Sequence, residues 1–465
     1  MAERNFRALA EIDGAAIQSF AARIKGQVIL PGDGQYEAAR LVWNRMINKW
    51  PAMVVQCTEV EDVIRAVNFA RDNGLLTAVR AGGHSLGGKS VCDDGIVIDV
   101  GPMKRITVDP VARTVRTESG IRLGEFDRST QAFGLATPAG TDPDTGLAGL
   151  ALGGGLGWIM SKHGLTCDNL LGAQVVTAGG RLVRASDDEN PDLFWGLKGG
   201  GGNFGVVTSF EFKLHPVGPV FGGALMYPAA RGGEVLRFVR EYAQSISDEL
   251  TLGGSCAMVP GFGPAFNLIA CYCGDPGTGE KVLQPLVSAT RPAAGEFRAI
   301  PYVEMQALGA LQLGQHSFWR SGFFSDLDGG VIDVLAANMA RPQPCGLFAI
   351  HVHGAVSRVD PAATAFRHRS PGFDLAAFHL WPDPAQSDEY VALVTRLWEE
   401  MAPFSNGGVY VNTLLEEGDQ RVKDAYGPNY DRLAALKNKY DPDNFFCMNQ
   451  NIRPSSAMDG ARSGT

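Results

Sequence analysis

The chain has no run of about 18 apolar residues, the length an α-helix needs to cross a bilayer, so nothing in it reads as a membrane span. It has no dense basic cluster either, and its 41 basic against 50 acidic residues give 41 − 50 = −9. That balance excludes a nucleic-acid partner. The opening MAERNFRALAEIDGAA is charged where a secretory leader needs an apolar stretch, so a cytoplasmic protein is expected. Cysteine is scattered: of eight, only Cys271 and Cys273 are close-spaced. A lone C-x-C is weak as a metal motif, and reduced thiols are expected. No internal repeat is evident.

Glycine is abundant, at 58 of 465 residues, about 12% against a usual 7%, and concentrated before residue 210 without a period. This is loop glycine with a local purpose, not linker or collagen-like sequence. With 45% hydrophobic residues the chain can bury a large core, and its length corresponds to roughly three domains of about 150 residues each. The densest signal is Thr77–Val100, TAVRAGGHSLGGKSVCDDGIVIDV, where two short β-like runs flank a loop holding five glycines and His84. Such a loop lets a ligand approach the bare main chain.

In chain order, Pro51–Cys57 reads as a strand. Thr58 is placed to cap a helix over Glu59–Asn73, and Leu75–Arg80 is the next strand, giving β-α-β. Ile96–Val100 and Thr114–Glu118 are β-like, and Leu123–Phe133 is helical up to Gly134. A second glycine-rich stretch spans Thr137–Trp158. Leu171–Ala178 and Arg181–Ala185 form a hairpin about Gly179-Gly180. Asn190-Pro191 starts a short helix to Leu197, and GGGGNFG leads into a strand over Val206–Leu214. Glycine thins near Pro216–Pro219, where an α+β unit begins, and the tail from Gly407 holds a β run, Val409–Leu414, then two helices. The divisions expected are 1–215, 216–405 and a returning segment 406–465.

Two motifs mislead. GHSLGGKS, Gly83–Ser90, fits the phosphate-loop pattern, but that motif works through the N-terminus of a following helix, and here a turn and a strand follow. GGGNFG, Gly200–Gly205, fits the dinucleotide pattern and also leads into a strand. Either loop can still hold pyrophosphate on backbone N–H groups.

RAGGHS, TPAGTDPDTGLAGLALGGGLGW, TAGGRLVRAS and DLFWGLKGGGGNFGVVTSFEF resemble the FAD domain of vanillyl-alcohol-oxidase-type (PCMH-type) flavoproteins. The tail from VYVNTLLEEGDQ to DPDNFFCMNQNI resembles the berberine-bridge-enzyme-like branch. Within that branch the chain is most similar to the bacterial flavin-N5-oxide oxygenase type found in enterocin biosynthesis. The resemblance implies a two-domain α+β flavoprotein: a discontinuous FAD domain, plus a substrate domain with an antiparallel sheet covered by helices. It implies a single covalent link from His84 to the flavin 8α-carbon, since Asp142 stands where many relatives have a second tethering cysteine. It implies flavin contacts from Arg80, Ala81, Gly82, Gly83, Ser85 and Gly88, and from Gly140, Thr141, Gly146, Gly149, Gly154, Gly155 and Gly157. Further contacts fall to Gly205, Val207, Tyr410, Asn412 and Asn449, with Tyr410 and Asn412 on one face of a strand. Thr145 falls at the gate beside the flavin's reactive carbon, where a small side chain admits dioxygen.

For a substrate-side base the middle region offers His351 and His353 on one strand and His379 with Trp381 on another. Residues two apart share a sheet face, and an imidazole there can take a proton while hydride leaves the substrate. A zinc site built from the three histidines, or histidines with a structural role, are the other readings. Relatives often use a glutamate or tyrosine, and no glutamate matches here. Tyr302, Trp319 and Arg320 are further pocket candidates. The expected activity is an FAD oxidase taking hydride from an alcohol, sugar, phenol or secondary metabolite and reoxidised by dioxygen. An N5-oxide oxygenase of polyketide tailoring, or a dehydrogenase with another acceptor, remain open, and the sequence does not set the oligomeric state.

Overall fold

The structure is a computed structural model and describes residues 6–311 and 314–455; the first five residues of the opening segment and the last ten of the tail lie outside it. No helix among the described residues is long and apolar enough to cross a membrane. The strands in chain order are β1 Gln27–Ile29, β2 Met53–Gln56, β3 Thr77–Arg80, β4 Ile96–Asp99, β5 Ile106–Asp109 and β6 Thr114–Glu118. There follow β7 Leu135–Ala136, β8 Leu170–Val176, β9 Leu182–Ser186, β10 Val206–Lys213 and β11 His215–Pro216. The rest are β12 Val220–Pro228, β13 Leu250–Val259, β14 Gly263–Tyr272, β15 Ala294–Ile300, β16 His316–Phe324, β17 Gly346–Val352 and β18 Gly372–Trp381.

The expected β-α-β opening is present with a twist in its order. The helix Val60–Asp72 joins β2 to β3, but β4 lies between them and pairs in parallel with both, in the order β1-β2-β4-β3. Parallel neighbours need a crossover, so the chain after β3 must travel from the carboxyl end of one strand to the start of the next. The His84 loop is that crossover. Ligands in α/β sheets sit at the carboxyl ends of strands. Thr58 does not cap the helix; Glu59 is the N-cap residue, and Asp62 accepts from the N–H groups of Lys25, Gly26 and Thr58.

A second sheet, antiparallel in the order β5-β6-β10-β8-β9, carries the expected β8–β9 hairpin. The third is seven-stranded and wholly antiparallel, in the order β15-β12-β14-β13-β17-β18-β16. One face of it packs on the helices Gly232–Ala243, Pro276–Thr290, Gly329–Met339 and Ser387–Met401 through Leu236, Leu283, Ile332 and Leu397. The opposite face turns towards the glycine loops.

The tail is not a strand at Val409–Leu414. It forms turns and irregular chain there, where Tyr410 and Asn412 bond to the loop beneath and Thr413 meets Ser321 of β16 through its side chain. It is then locked by the helix Tyr430–Tyr440. Lys437, wholly buried, donates from Nζ to the Asn203 carbonyl at 2.7 Å, the Asp441 carboxylate at 2.7 Å and the Phe446 carbonyl at 2.9 Å. One ammonium therefore ties the tail to the GGGGNFG loop. Removing one partner of a buried ion pair strands the other charge. Lys437→Met is expected to lower unfolding stability by about 3–5 kcal/mol, seen as a lower urea midpoint.

Candidate active site

A cavity of about 550 Å³ lies between the glycine loops and the open face of the seven-stranded sheet. Its floor rests on a close approach of two main chains. A Cβ added at Gly82 would come within 2.5 Å of Gly146 Cα, and one at Gly146 within 2.6 Å of Gly82 N. Glycine is needed there because any side chain would part the loops. Each loop is held from behind: Trp43 N–H donates to the Gly83 carbonyl at 3.0 Å, and Leu123 N–H to the Thr145 carbonyl at 2.9 Å.

That contact brings His84 beside the second loop. The imidazole stacks on Trp43 with ring centroids 4.7 Å apart, and its Nδ1 is 3.4 Å from Thr145 Oγ1. Its Nε2 has no hydrogen-bond partner, and the nearest carboxylate oxygen, on Asp144, is 3.7 Å away. Burial raises the Asp144 pKa, but the His84 and Arg122 contacts outweigh it and hold the carboxyl below its ordinary range. Asp142, at the place of the absent cysteine, is pushed up by burial and accepts from Asp144 N–H at 2.9 Å.

Of the residues expected at the cofactor, Ala81, Gly82, Gly83, His84, Ser85, Gly140, Thr141, Thr145, Gly146, Gly149, Gly205, Val207, Tyr410, Asn412 and Asn449 line this cavity. Five do not, and each has another job. Arg80 is buried against Asp99 at 2.8 Å and donates to the Ala39 carbonyl. Gly88 is left-handed at φ +66° with Ile47 against it. Gly154, Gly155 and Gly157 make room for Phe366, Thr166 and the Gly140 backbone.

Tyr410 and Asn412 meet by a route other than a shared strand face. Asn412 Nδ2 donates to Tyr410 Oη at 2.8 Å and to the Leu150 carbonyl at 3.1 Å, while Gly155 N–H donates to the same phenol at 3.0 Å. Burial raises the Tyr410 pKa and these donors lower it, burial prevailing. The phenol oxygen accepts two N–H donors, so its own proton is free to point elsewhere.

The three histidines of the middle region are corrected. On β17 it is Phe348 and Ile350 that face the cavity, so alternation sends His351 to the helix side, stacked on Phe373 and on His353. Burial drops His351 to about 3. His353 donates from Nε2 to the Leu250 carbonyl at 2.8 Å, and His379 stacks on Tyr390 of a covering helix. Neither a base nor a zinc site is assembled, and among the described residues no cluster of three or more His, Cys, Asp or Glu could hold a metal. Of the other candidates, Trp319 lines the cavity. Tyr302 is wholly buried away from it, and Arg320 turns to Glu417 and the Phe318 ring.

Sequence reasoning passed over Asp374. It sits on β18 with Ala376 and Phe378 on the cavity side, one carboxyl in the run GFDLAAFHLW. Its Oδ1 has no hydrogen-bond partner, and burial pushes its pKa up to about 7. A lone acid in an apolar strand was the available signal.

The profile described as FAD binding domain matches residues 51–186, and the one described as Berberine and berberine like matches residues 409–453. An FAD-linked oxidoreductase of Dictyostelium discoideum is 33% identical over 94% of this chain and 97% of its own length. The chain belongs to the berberine-like FAD-linked oxidoreductases. The enzyme is also 30% identical to (R)-6-hydroxynicotine oxidase of Paenarthrobacter nicotinovorans, over 93% of this chain and 98% of the relative. The crystal structure of 6-hydroxy-D-nicotine oxidase from Arthrobacter nicotinovorans matches with a TM-score of 0.85 at 29% identity, covering 93% of this chain and 98% of that one. Xylooligosaccharide oxidase from Myceliophthora thermophila, with xylobiose bound, shares the fold at a TM-score of 0.83 and 24% identity, covering 94% and 99%.

The residues of the enzyme fit FAD. The floor is bare glycine backbone that side chains would fill, and buried His84 Nε2 and Asn449 Oδ1 await partners. Gly82→Ala is expected to separate the loops at a cost of about 1–3 kcal/mol and to lower the ratio of flavin to protein absorbance in the purified enzyme.

Proposed function

We propose that this enzyme is an oxidase whose FAD is held by a single covalent bond to His84, with dioxygen as the terminal acceptor. The supporting observation is the His84 imidazole at the cavity edge, stacked on Trp43 and lacking a partner at Nε2. Neutral imidazole is a competent nucleophile near pH 7. We assign FAD binding to residues 1–215 with 406–465, and the substrate to 216–405. Cys57, Cys92, Cys167, Cys256, Cys271, Cys273 and Cys345 are buried thiols outside any disulfide, in keeping with a reducing, cytoplasmic setting.

Bound FAD supplies the two-electron acceptor that takes hydride from a substrate carbon. The chain supplies the rest. Glycine amides of the two loops and of Gly201, Gly202 and Gly205 hold the phosphates. Asp374 takes the proton that leaves as the substrate is oxidised, and the apolar burial that raises its pKa also makes its carboxylate a stronger base. Tyr410, its oxygen fixed by Gly155 and Asn412, orients the reacting group. Thr145 leaves space beside the ring for dioxygen. Oxygenation of a polyketide, suggested by the same threonine, and electron transfer to another acceptor are the alternatives. Reducing the enzyme anaerobically and then mixing in oxygen separates an oxidase from a dehydrogenase.

Acid precipitation is expected to leave yellow colour in the pellet, and His84→Ala to release it; complete release from the unaltered enzyme would remove the tether. Asp374→Asn is expected to slow anaerobic flavin reduction by about 10²–10⁴-fold, while His353→Ala leaves it unchanged. Asp374 must be ionised to accept a proton, so the reduction rate should climb with pH through about 7 and flatten above it. Stopped-flow reduction across pH 5–9 reads this, roughly two units either side of the transition.

A further inference from the structure

The sheet side of the cavity is distinctive for what it offers a substrate. Trp319 and Phe378 stack on each other with centroids 4.2 Å apart and planes 9° from parallel, and Phe348 and Leu311 pack beside them. Among the lining residues contributed by the seven-stranded sheet, only Asp374 is ionisable, and Ser255 supplies the one hydroxyl. That hydroxyl already accepts from Asn267 Nδ2 at 3.3 Å. A disaccharide brings many hydroxyls, each costing about 1–3 kcal/mol if buried without a partner, and this wall cannot satisfy them. No basic residue of the sheet faces the cavity to pair with an acidic substrate.

We infer that the substrate is a flat aromatic alcohol, its rings lying against the Trp319–Phe378–Phe348 wall and its hydroxyl-bearing carbon beside Asp374. This rests on the oxidase reading above and names the substrate class of that site. The oxidation balances in two halves. The carbinol carbon gives hydride to the flavin, the hydroxyl proton passes to Asp374, and the carbon–oxygen bond becomes a carbonyl. Dioxygen then takes the two electrons from the flavin and leaves as hydrogen peroxide, its two protons being the one returned by Asp374 and the one that reached the flavin with the hydride. Aromatic faces offset on one another gain beyond their buried area, so a planar substrate uses this wall where a saturated ring does not.

The test uses the purified holoenzyme without oxygen. 2-Naphthalenemethanol is expected to bleach the flavin, whereas xylobiose and glucose at a hundredfold higher concentration, roughly 2.7 kcal/mol of discrimination, leave it oxidised. 2-Naphthol, which has no carbon to oxidise in this way, is expected to perturb the flavin spectrum without reducing it. Trp319→Ala and Phe378→Leu should each raise its Kd by about tenfold while flavin content stays at the unaltered level. A yellow enzyme whose spectrum 2-naphthol does not move, or which either sugar reduces faster than the aromatic alcohol, overturns the inference and leaves the oxidase reading standing. A chain that stays colourless after incubation with FAD overturns both.

Discussion

Everything at this site depends on two glycines touching. Gly82 and Gly146 come from loops far apart in sequence, and their main chains meet at a separation no side chain would permit. Their contact sets His84 against Thr145 and leaves a floor of bare amides. The contact itself contributes little attraction. Its role is to allow an approach whose stability comes from elsewhere: the Trp43–Gly83 and Leu123–Thr145 hydrogen bonds, and the apolar core beneath.

The cavity has two unlike halves because two unlike structures build it. The glycine loops offer backbone donors and little shape, suited to a large cofactor with phosphates. The sheet offers side chains at fixed spacing, and its period of two makes one face a core and the other a wall. Helix-side positions such as Leu252, Leu347 and Leu375 fill the core, while Ser255, Phe348 and Asp374 turn the other way. A carboxyl among aromatics is costly to ionise, and that cost is what moves Asp374 towards neutrality, where it can exchange a proton. The tail completes the enclosure from a third direction. It reaches in as irregular chain whose Tyr410 and Asn412 grip the loop after Leu150, and Lys437 anchors it.

Much of the frame could be read from residue order. The helix near 60–72, the β8–β9 hairpin and the rejection of a phosphate-loop helix all follow from local signals that tertiary contacts reinforced. Fifteen of the cofactor residues drawn from the resemblance do line the cavity. The misses have physical causes. Gly154, Gly155 and Gly157 look like ligand glycines, yet they serve packing, since a glycine is equally required where a protein side chain comes close. Val409–Leu414 has the composition of a strand, but main-chain pairing with the edge strand β16 stops at Asn406 and Gly408, on Phe323, and the segment beyond bonds through its side chains.

Residue order determined that His351 and His353 share a face, that a glycine loop carries a histidine, and that one acid interrupts an apolar strand. Which face of the sheet meets the cavity was decided only when the helices covered the other. Alternation sets relative orientation along a strand, and the absolute choice belongs to the partner layer. That choice turned the histidines inward to the helices and left Asp374 as the one ionisable residue of the sheet facing the cavity.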